Sequence, residues 1–352
     1  MPSEVSQHAT RGRIRTPGHR SKPVREYPDF PRSGLSMFRN QKPRMALDKI
    51  RENPPRVTSV TLNWQGRDVL LRCVESLKAQ TLPLFEIIVV DNRSTDGSVQ
   101  QVREKHPDVV ILENPANFGA PKGRNVGLTR ALEKEPDYIF TIDNDLYADP
   151  GCVENLVRAA GSDSTIAIVG AFIYDDGAPD RLLSAGAIVD FTQNVSRQIQ
   201  NAEDLDRLYP LSYCGTGHML TRSSVYRELG LLDEAFIGYG FEDSDFGFRT
   251  RGAGYRVVSY GRARVWHTAH AGIGRYSFKK KYLETRNAVL FMKRYGKWHQ
   301  WMKYLVFVAI GFIAAPLIEI PKGHLHGVAG KFRGFWDGLT GKTELAERLL
   351  RS

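Results

Sequence analysis

Short apolar runs alternate with helix-patterned segments from residue 57 to residue 142, and this alternation restricts the fold more than any other feature. Residues 57–63 form a β-branched run, and 68–79 follow with helical spacing of Leu70, Leu71, Val74 and Leu77. Residues 85–90 are a short run that is apolar except for Glu86, as expected of a strand covered on both faces. A helix is expected over 96–105 with Asp96 as its N-cap, a strand over 109–112, a helix over 123–133 and a strand over 138–142. Strands alternating with helices imply an α/β fold with a mostly parallel sheet and right-handed crossovers. Ligands of such sheets sit beyond the carboxyl ends of the strands, so the polar residues just after each strand are the ones to examine.

Charge is distributed unevenly along the chain. Residues 1–56 carry 13 Lys and Arg against 5 Asp and Glu, and residues 271–352 carry 15 against 5, whereas 57–270 carry 21 against 29. A nucleic-acid binder would place positive charge on its folded core, so an acidic middle argues against that class. An acidic core that handles a phosphate donor requires a bridging cation, and basic ends suit an anionic membrane surface. Cys73, Cys152 and Cys214 are widely spaced, without disulfide or zinc spacing, and imply a reduced, cytoplasmic setting. Residues 1–21 contain no apolar signal-peptide core, and 8–55 read as a disordered basic tail.

Five strand-end segments carry candidate chemistry. Asp91 and Asn92 leave the end of one apolar run in VVDNRSTDGS, where Asp91 can accept from a pyrimidine imide or ribose hydroxyls; an Asx turn is the structural alternative. The segment 114–128, NPANFGAPKGRNVGL, places Asn117 and Gly119 before a helix, an arrangement that favours phosphate at the helix N-terminus with Lys122 or Arg124 adding charge. Asp143 and Asp145 follow the strand at 138–142, two residues apart, and can present oxygens to Mn²⁺ or Mg²⁺. In 240–249, GFEDSDFGFR, three carboxylates open a helix. They are either simple helix-dipole partners or the source of a general base, partly dried by Tyr239, Phe241 and Phe246. His267 ends the run VWH and offers an imidazole to the same cation, with His270 as its rival.

In this order the segments resemble glycosyltransferase family 2, the inverting enzymes of GT-A fold, over residues 57–296, closest to its rhamnosyltransferase-like and galactofuranosyltransferase-like branch. The helix-patterned KYLETRNAVLFMKRYG adds to the likeness. The resemblance implies a nucleotide-sugar donor and a divalent metal held by Asp143, Asp145 and His267. It implies Asp243, beside Glu242, as the base. Asn63, Asp91 and Asn92 would lie at the nucleoside, and Arg124 near the phosphates with Asn117 and Gly119. Ala120-Pro121-Lys122 stand where relatives more often carry small residues.

Three parts are expected: a tail (1–55), a GT-A catalytic domain (56–275) and a C-terminal helical extension (276–352). In the last, 304–318 run 15 residues without charge, shorter than the roughly 20 of a membrane span. Trp298, Trp301 and Tyr304 beside Lys297 and Lys303 resemble an interfacial belt, so contact with an anionic membrane is expected; a spanning helix and a soluble core helix are the alternatives. A glycan or glycolipid acceptor follows from that region. The competing functions are a catalytically degenerate nucleotide-sugar-binding protein and a sugar nucleotidyltransferase, although Asn63-Trp64-Gln65-Gly66 is not the basic Gly-rich turn of the latter.

Overall fold

A computed structural model describes residues 50, 52–191, 195–238, 240–268 and 276–351. The tail up to residue 49, Tyr239 and His270 lie outside the described residues. Within the expected tail, Ile50 is described, and it is buried in the main core. The packed unit therefore reaches back beyond residue 56.

The alternating pattern folds as strand β1 (Val57–Asn63), helix α1 (Leu70–Lys78), β2 (Glu86–Asp91), α2 (Ser98–Lys105), β3 (Val110–Glu113), α3 (Ala120–Glu133) and β4 (Tyr138–Asp143). Two boundaries differ from expectation. Helix α2 begins at Ser98 with left-handed Gly97 as its cap, because Asp96 is drawn into accepting from the Ser98 and Arg67 N–H groups. Helix α3 begins three residues early, since Pro121 is tolerated in a first helical turn.

After β4 come β5 (Leu146–Ala148), α4 (Cys152–Gly161), β6 (Ile166–Asp175), β7 (Ala178–Ser184), β8 (Ala187–Asp190), β9 (Val195–Gln198), β10 (Leu208–Pro210) and β11 (His218–Arg222). Helices α5 (Ser223–Leu229) and α6 (Glu242–Gly252) precede β12 (Arg256–His267). The main sheet runs β10-β12-β6-β11-β4-β1-β2-β3, with β5 on β12 and β7 on β6. Strands β3, β2, β1 and β4 are parallel, as are β6 and β12, while β11 enters antiparallel between the two blocks. The register sets Asn63 beside Asp91 and Asp143 beside Leu62, so the candidate strand-end residues share one edge.

Four helices complete the chain: α7 (Phe278–Tyr295), α8 (Trp298–Glu319), α9 (Leu325–Thr340) and α10 (Glu344–Arg351). Helix α7 packs inward, with Phe291 against Phe236 and Phe248. Helix α9 lies parallel to it along a stripe of glycines. A Cβ on Gly330 would sit 2.6 Å from the Phe278 carbonyl oxygen and one on Gly338 2.8 Å from that of Arg286, while one on Gly334 would collide with the Tyr282 carbonyl. Bare backbone on α9 thus lets the two helices close together. Tyr282 fixes the register by donating to buried Asp337 at 2.9 Å.

The Gly334→Ala substitution is expected to force the helices apart and to destabilise the protein by about 1–3 kcal/mol. Gly311→Ala on α8, where a Cβ meets nothing within 4 Å, should be neutral or mildly stabilising. Chemical denaturation of the two variants checks the contrast.

Candidate active site

The floor of the site is a set of strand ends that satisfy one another. Asn63 donates to Asp91 at 2.8 Å, Ser98 at 2.9 Å and Ser94 at 3.1 Å, and accepts from Asn144 at 2.8 Å. Asp91 also accepts the Ser94 N–H at 2.7 Å. Asn92 accepts from Asn114 at 2.9 Å and donates to Asn117 and the Gly119 carbonyl, both at 3.2 Å. Asn63, Asp91 and Asn92 are buried, so these side chains brace the loops of the cleft edge.

The N-terminus of α3 differs from the phosphate cradle its sequence suggests. The Gly119 N–H goes to Asn117 at 2.9 Å, the Ala120 N–H goes to the Gly238 carbonyl at 2.6 Å, and Pro121 has no N–H to offer. The helix start is closed onto the loop that leads into α6. Lys122 turns over the Phe118 ring, 4.5 Å from its centroid.

Arg124, one turn further along, is buried and points into the centre of the site. It donates to Thr216 at 2.9 Å and pairs with Asp143, leaving only its Nε without a partner. Thr216 belongs to Cys214-Gly215-Thr216-Gly217-His218, a segment just before β11 that the sequence reading passed over. The signal available was its pair of glycines ahead of an apolar run. A Cβ on Gly217 would collide with the Asp143 carboxylate, and one on Gly215 would lie 4.0 Å from Asp243 Oδ2. This loop therefore runs between Asp143 and Asp243.

Asp145 and His267 meet where β5 pairs with the end of β12. The imidazole Nε2 lies 3.2 Å from Asp145 Oδ2, and the Thr268 N–H donates to the Asp145 carbonyl at 3.0 Å. The Asp145 hydrogen bond raises the His267 imidazole above its ordinary value against the effect of burial. Burial raises the Asp143 carboxyl above the usual range, while Arg124 pulls it down. Among the described residues no three His, Cys, Asp or Glu side chains are disposed to hold a metal by themselves. Asp145 and His267 nevertheless offer an oxygen and a nitrogen to one point. That pair fits a Mn²⁺ or Mg²⁺ whose remaining ligands are diphosphate and water.

The three carboxylates of α6 divide by environment. Asp245 is 1% exposed and accepts from Arg249 at 2.8 Å, Arg294 at 2.9 Å and Tyr295 at 2.7 Å, so it ties α6 to α7. Among the described residues, Asp243 accepts only from its neighbour Ser244, through the N–H at 2.7 Å and the hydroxyl at 3.3 Å, both on Oδ1. Glu242 is buried, and its Oε2 has no partner. Burial, reinforced by Asp243, pushes Glu242 up to about 8. Burial pushes Asp243 up to about 6 against the Ser244 bonds that favour its anion. Of the two, Glu242 is raised further and holds a proton more readily than Asp243. Arg124 lowers both carboxyls as well as Asp143, which places all three within reach of one guanidinium.

The entry to α6 is strained. Gly238, Gly240 and Phe241 have φ of 87°, 88° and 73°, and a left-handed non-glycine residue costs roughly 1–2 kcal/mol. Phe241 is retained by its ring contact with Phe291, 5.4 Å between centroids, and by Asn287, which donates to the Ile237 and Gly240 carbonyls at 3.1 and 3.2 Å. Phe246, expected to dry the site, instead stacks on Tyr226 on the core side of α6.

The model for "Glycosyl transferase family 2" matches residues 59–230. Those residues form a family 2 glycosyltransferase domain. The chain is 26% identical over 237 residues to the N-acetylglucosaminyl-diphospho-decaprenol L-rhamnosyltransferase of Mycobacterium tuberculosis, covering 61% of this chain and 77% of that protein. Among solved structures, GalNAc-T7 with UDP, GalNAc and Mn²⁺ superposes with a TM-score of 0.58 at 17% identity, over 85% of this chain and 58% of the other. The mannosyltransferase PcManGT of Pyrobaculum calidifontis, in complex with GDP-Man and Mn²⁺, gives 0.53 at 15% identity, over 88% and 93%. At such identities the two structures establish the GT-A fold.

The contrast within α6 is testable without any substrate. Asp245→Asn is expected to cost about 3–5 kcal/mol of stability, because it leaves Arg294 and Arg249 short of their buried partner. Asp243→Asn should match or exceed the wild type above pH 6. Its raised folded-state value means that ionisation destabilises the wild type as pH climbs from about 4 through about 6, a loss the amide never incurs. Denaturant titrations at pH 4 and pH 7.5 check both.

Proposed function

We propose that this glycosyltransferase moves a sugar, with inversion, from a nucleotide-diphosphate donor to an acceptor hydroxyl of a lipid-linked or cell-surface glycan. It would use Mn²⁺ or Mg²⁺ and work at the cytoplasmic face of an anionic membrane. The observation that carries the reading is the course of the Gly215–Gly217 loop between Asp143 and Asp243, with Glu242 next to Asp243. Further support comes from the nucleotide and Mn²⁺ named with the two solved relatives and from the lipid-diphosphate acceptor named for the mycobacterial one. The three buried, unpaired cysteines agree with a reducing compartment.

In this reading the nucleoside half of the donor lies over the edge braced by Asn63, Asp91, Asn92, Asn117 and Gly119. Asp145 and His267, together with Asp143, would hold the divalent ion, and it would supply Lewis-acid charge to the leaving diphosphate. Arg124 keeps Asp143 ionised and oriented. Asp243 Oδ2 takes the acceptor proton as that oxygen bonds to the anomeric carbon; the bond from that carbon to the diphosphate breaks on the opposite side, and the nucleoside diphosphate departs with the electron pair. Glu242, whose burial favours its protonated form, limits the negative charge beside Asp243. Residues up to 275 carry the chemistry, and those from 276 onward form the helical unit that meets the acceptor's surroundings.

The Asp243→Asn variant is expected to lose about 10²–10⁴-fold in transfer while keeping donor affinity. Transfer at a near wild-type rate would refute the base assignment. In the wild type, the acid limb of kcat/KM should centre near pH 6, because proton binding to Asp243 removes the base below that value. Asp145→Ala should abolish the Mn²⁺-dependent part of nucleotide binding, read by calorimetry with and without EDTA.

A further inference from the structure

Helix α8 exposes apolar side chains over far more than one face. Trp298 is 79% exposed, Ile313 68% and Leu317 72%, and Met302, Val306, Phe307, Ile310 and Ile318 are exposed with them. At 100° per residue these positions span about 200° of the helix circumference. Only a narrow strip faces the protein: Tyr304 and Val308 pack with Met292 of α7 and Phe335 of α9, and Phe312 stacks on Phe332 at 4.1 Å. The exposed face is apolar enough, and long enough at 22 residues, to cross a membrane by length and composition.

Connectivity argues against crossing. The start of α8 is held at the end of α7 by Trp301 and Tyr304 beside Met292. Its far end returns to the start of α7, where the His324 ring stacks on Tyr276 at 5.0 Å. A helix with both ends pinned along one water-facing domain has no end free to reach the opposite leaflet. Lysines flank the helix as well, Lys297 and Lys303 towards its start and Lys322 just past its end. Glu319, the sole acidic residue of α8, is taken up by His324 at 2.8 Å and Lys322 at 3.4 Å. A broad apolar arc with cations at both ends matches one occupant: hydrocarbon beneath a layer of anionic headgroups.

We infer that α8 lies lengthwise in one leaflet of an anionic membrane, so that the chain is seated on the bilayer without spanning it. This deepens the proposed work at a membrane surface and rests on it. The seat adjoins the cleft: α8 ends beside the start of α7, where Lys279 stands over Trp64, 5.9 Å from its ring centroid, next to Asn63. An acceptor whose lipid stays in the leaflet therefore meets the site from its edge.

The full-length protein, mixed with vesicles of phosphatidylcholine containing 30% phosphatidylglycerol, is expected to float with them, and at least tenfold less with phosphatidylcholine alone. Ile313→Glu/Leu317→Glu should lose flotation at least tenfold while transfer to a water-soluble acceptor continues. The Lys297→Cys/Lys322→Cys variant, bound to preformed vesicles, should take two impermeant maleimide labels per chain by intact mass; the native thiols are buried. One label, with the second only after detergent, would overturn the in-plane seat in favour of a span. Absence of flotation, or an aqueous dimer that hides α8, would overturn membrane seating altogether. If Asp243-dependent transfer persists in that case, the glycosyltransferase mechanism stands and only the membrane reading falls.

Discussion

A single buried guanidinium organises the site. Arg124 can remain charged inside the protein because Asp143 pairs with it and Thr216 accepts from it. In return it fixes the position of Asp143 and tempers the charge repulsion among Asp143, Glu242 and Asp243. Three carboxyl groups in a partly dehydrated cleft would otherwise protonate or push apart. The strand ends, the loop through Thr216 and the start of α6 are each located relative to this one cation.

A second support comes from α7, which grips the approach to α6 from behind. Asn287 holds the Ile237 and Gly240 carbonyls, Arg286 donates to the Ala235 carbonyl at 3.0 Å, and Arg294 bridges Asp233 and Asp245. These bonds fix the strained turn through Phe241, so the direction of the Asp243 side chain depends on a helix that does not itself enter the cleft. Backbone strain at such a position persists only when the surroundings over-determine it.

Much of the fold could be read from the sequence because its cues are local. Short apolar runs and helical spacing identified β1 through β4 and the intervening helices to within a few residues. The polar strand ends at Asn63, Asp91 and Asp143 were visible for the same reason. What escaped were long-range effects. Thr216 and the flanking glycines acquire significance only when β11 enters beside β4, and nothing near them in sequence announces Arg124 or Asp143. The start of α3 looked like a phosphate cradle because glycines precede it, yet Gly238, more than a hundred residues away, covers its first N–H. The roles of Asp243 and Asp245 are indistinguishable by residue type and separate only through the partners α7 brings to one of them.

The glycine stripe of α9 has a bearing on how the molecule can be divided. Helix α7 is shared: its inner side chains hold the turn before α6, and its outer backbone receives Gly330, Gly334 and Gly338 without any intervening side chain. A chain shortened after Gly296 would retain every candidate catalytic residue, yet it would bare the carbonyls and the Val289 and Met292 side chains that α8 and α9 now cover. The candidate site and the outer helices thus share one wall, and a tilt of α8 and α9 would reach the cleft through it.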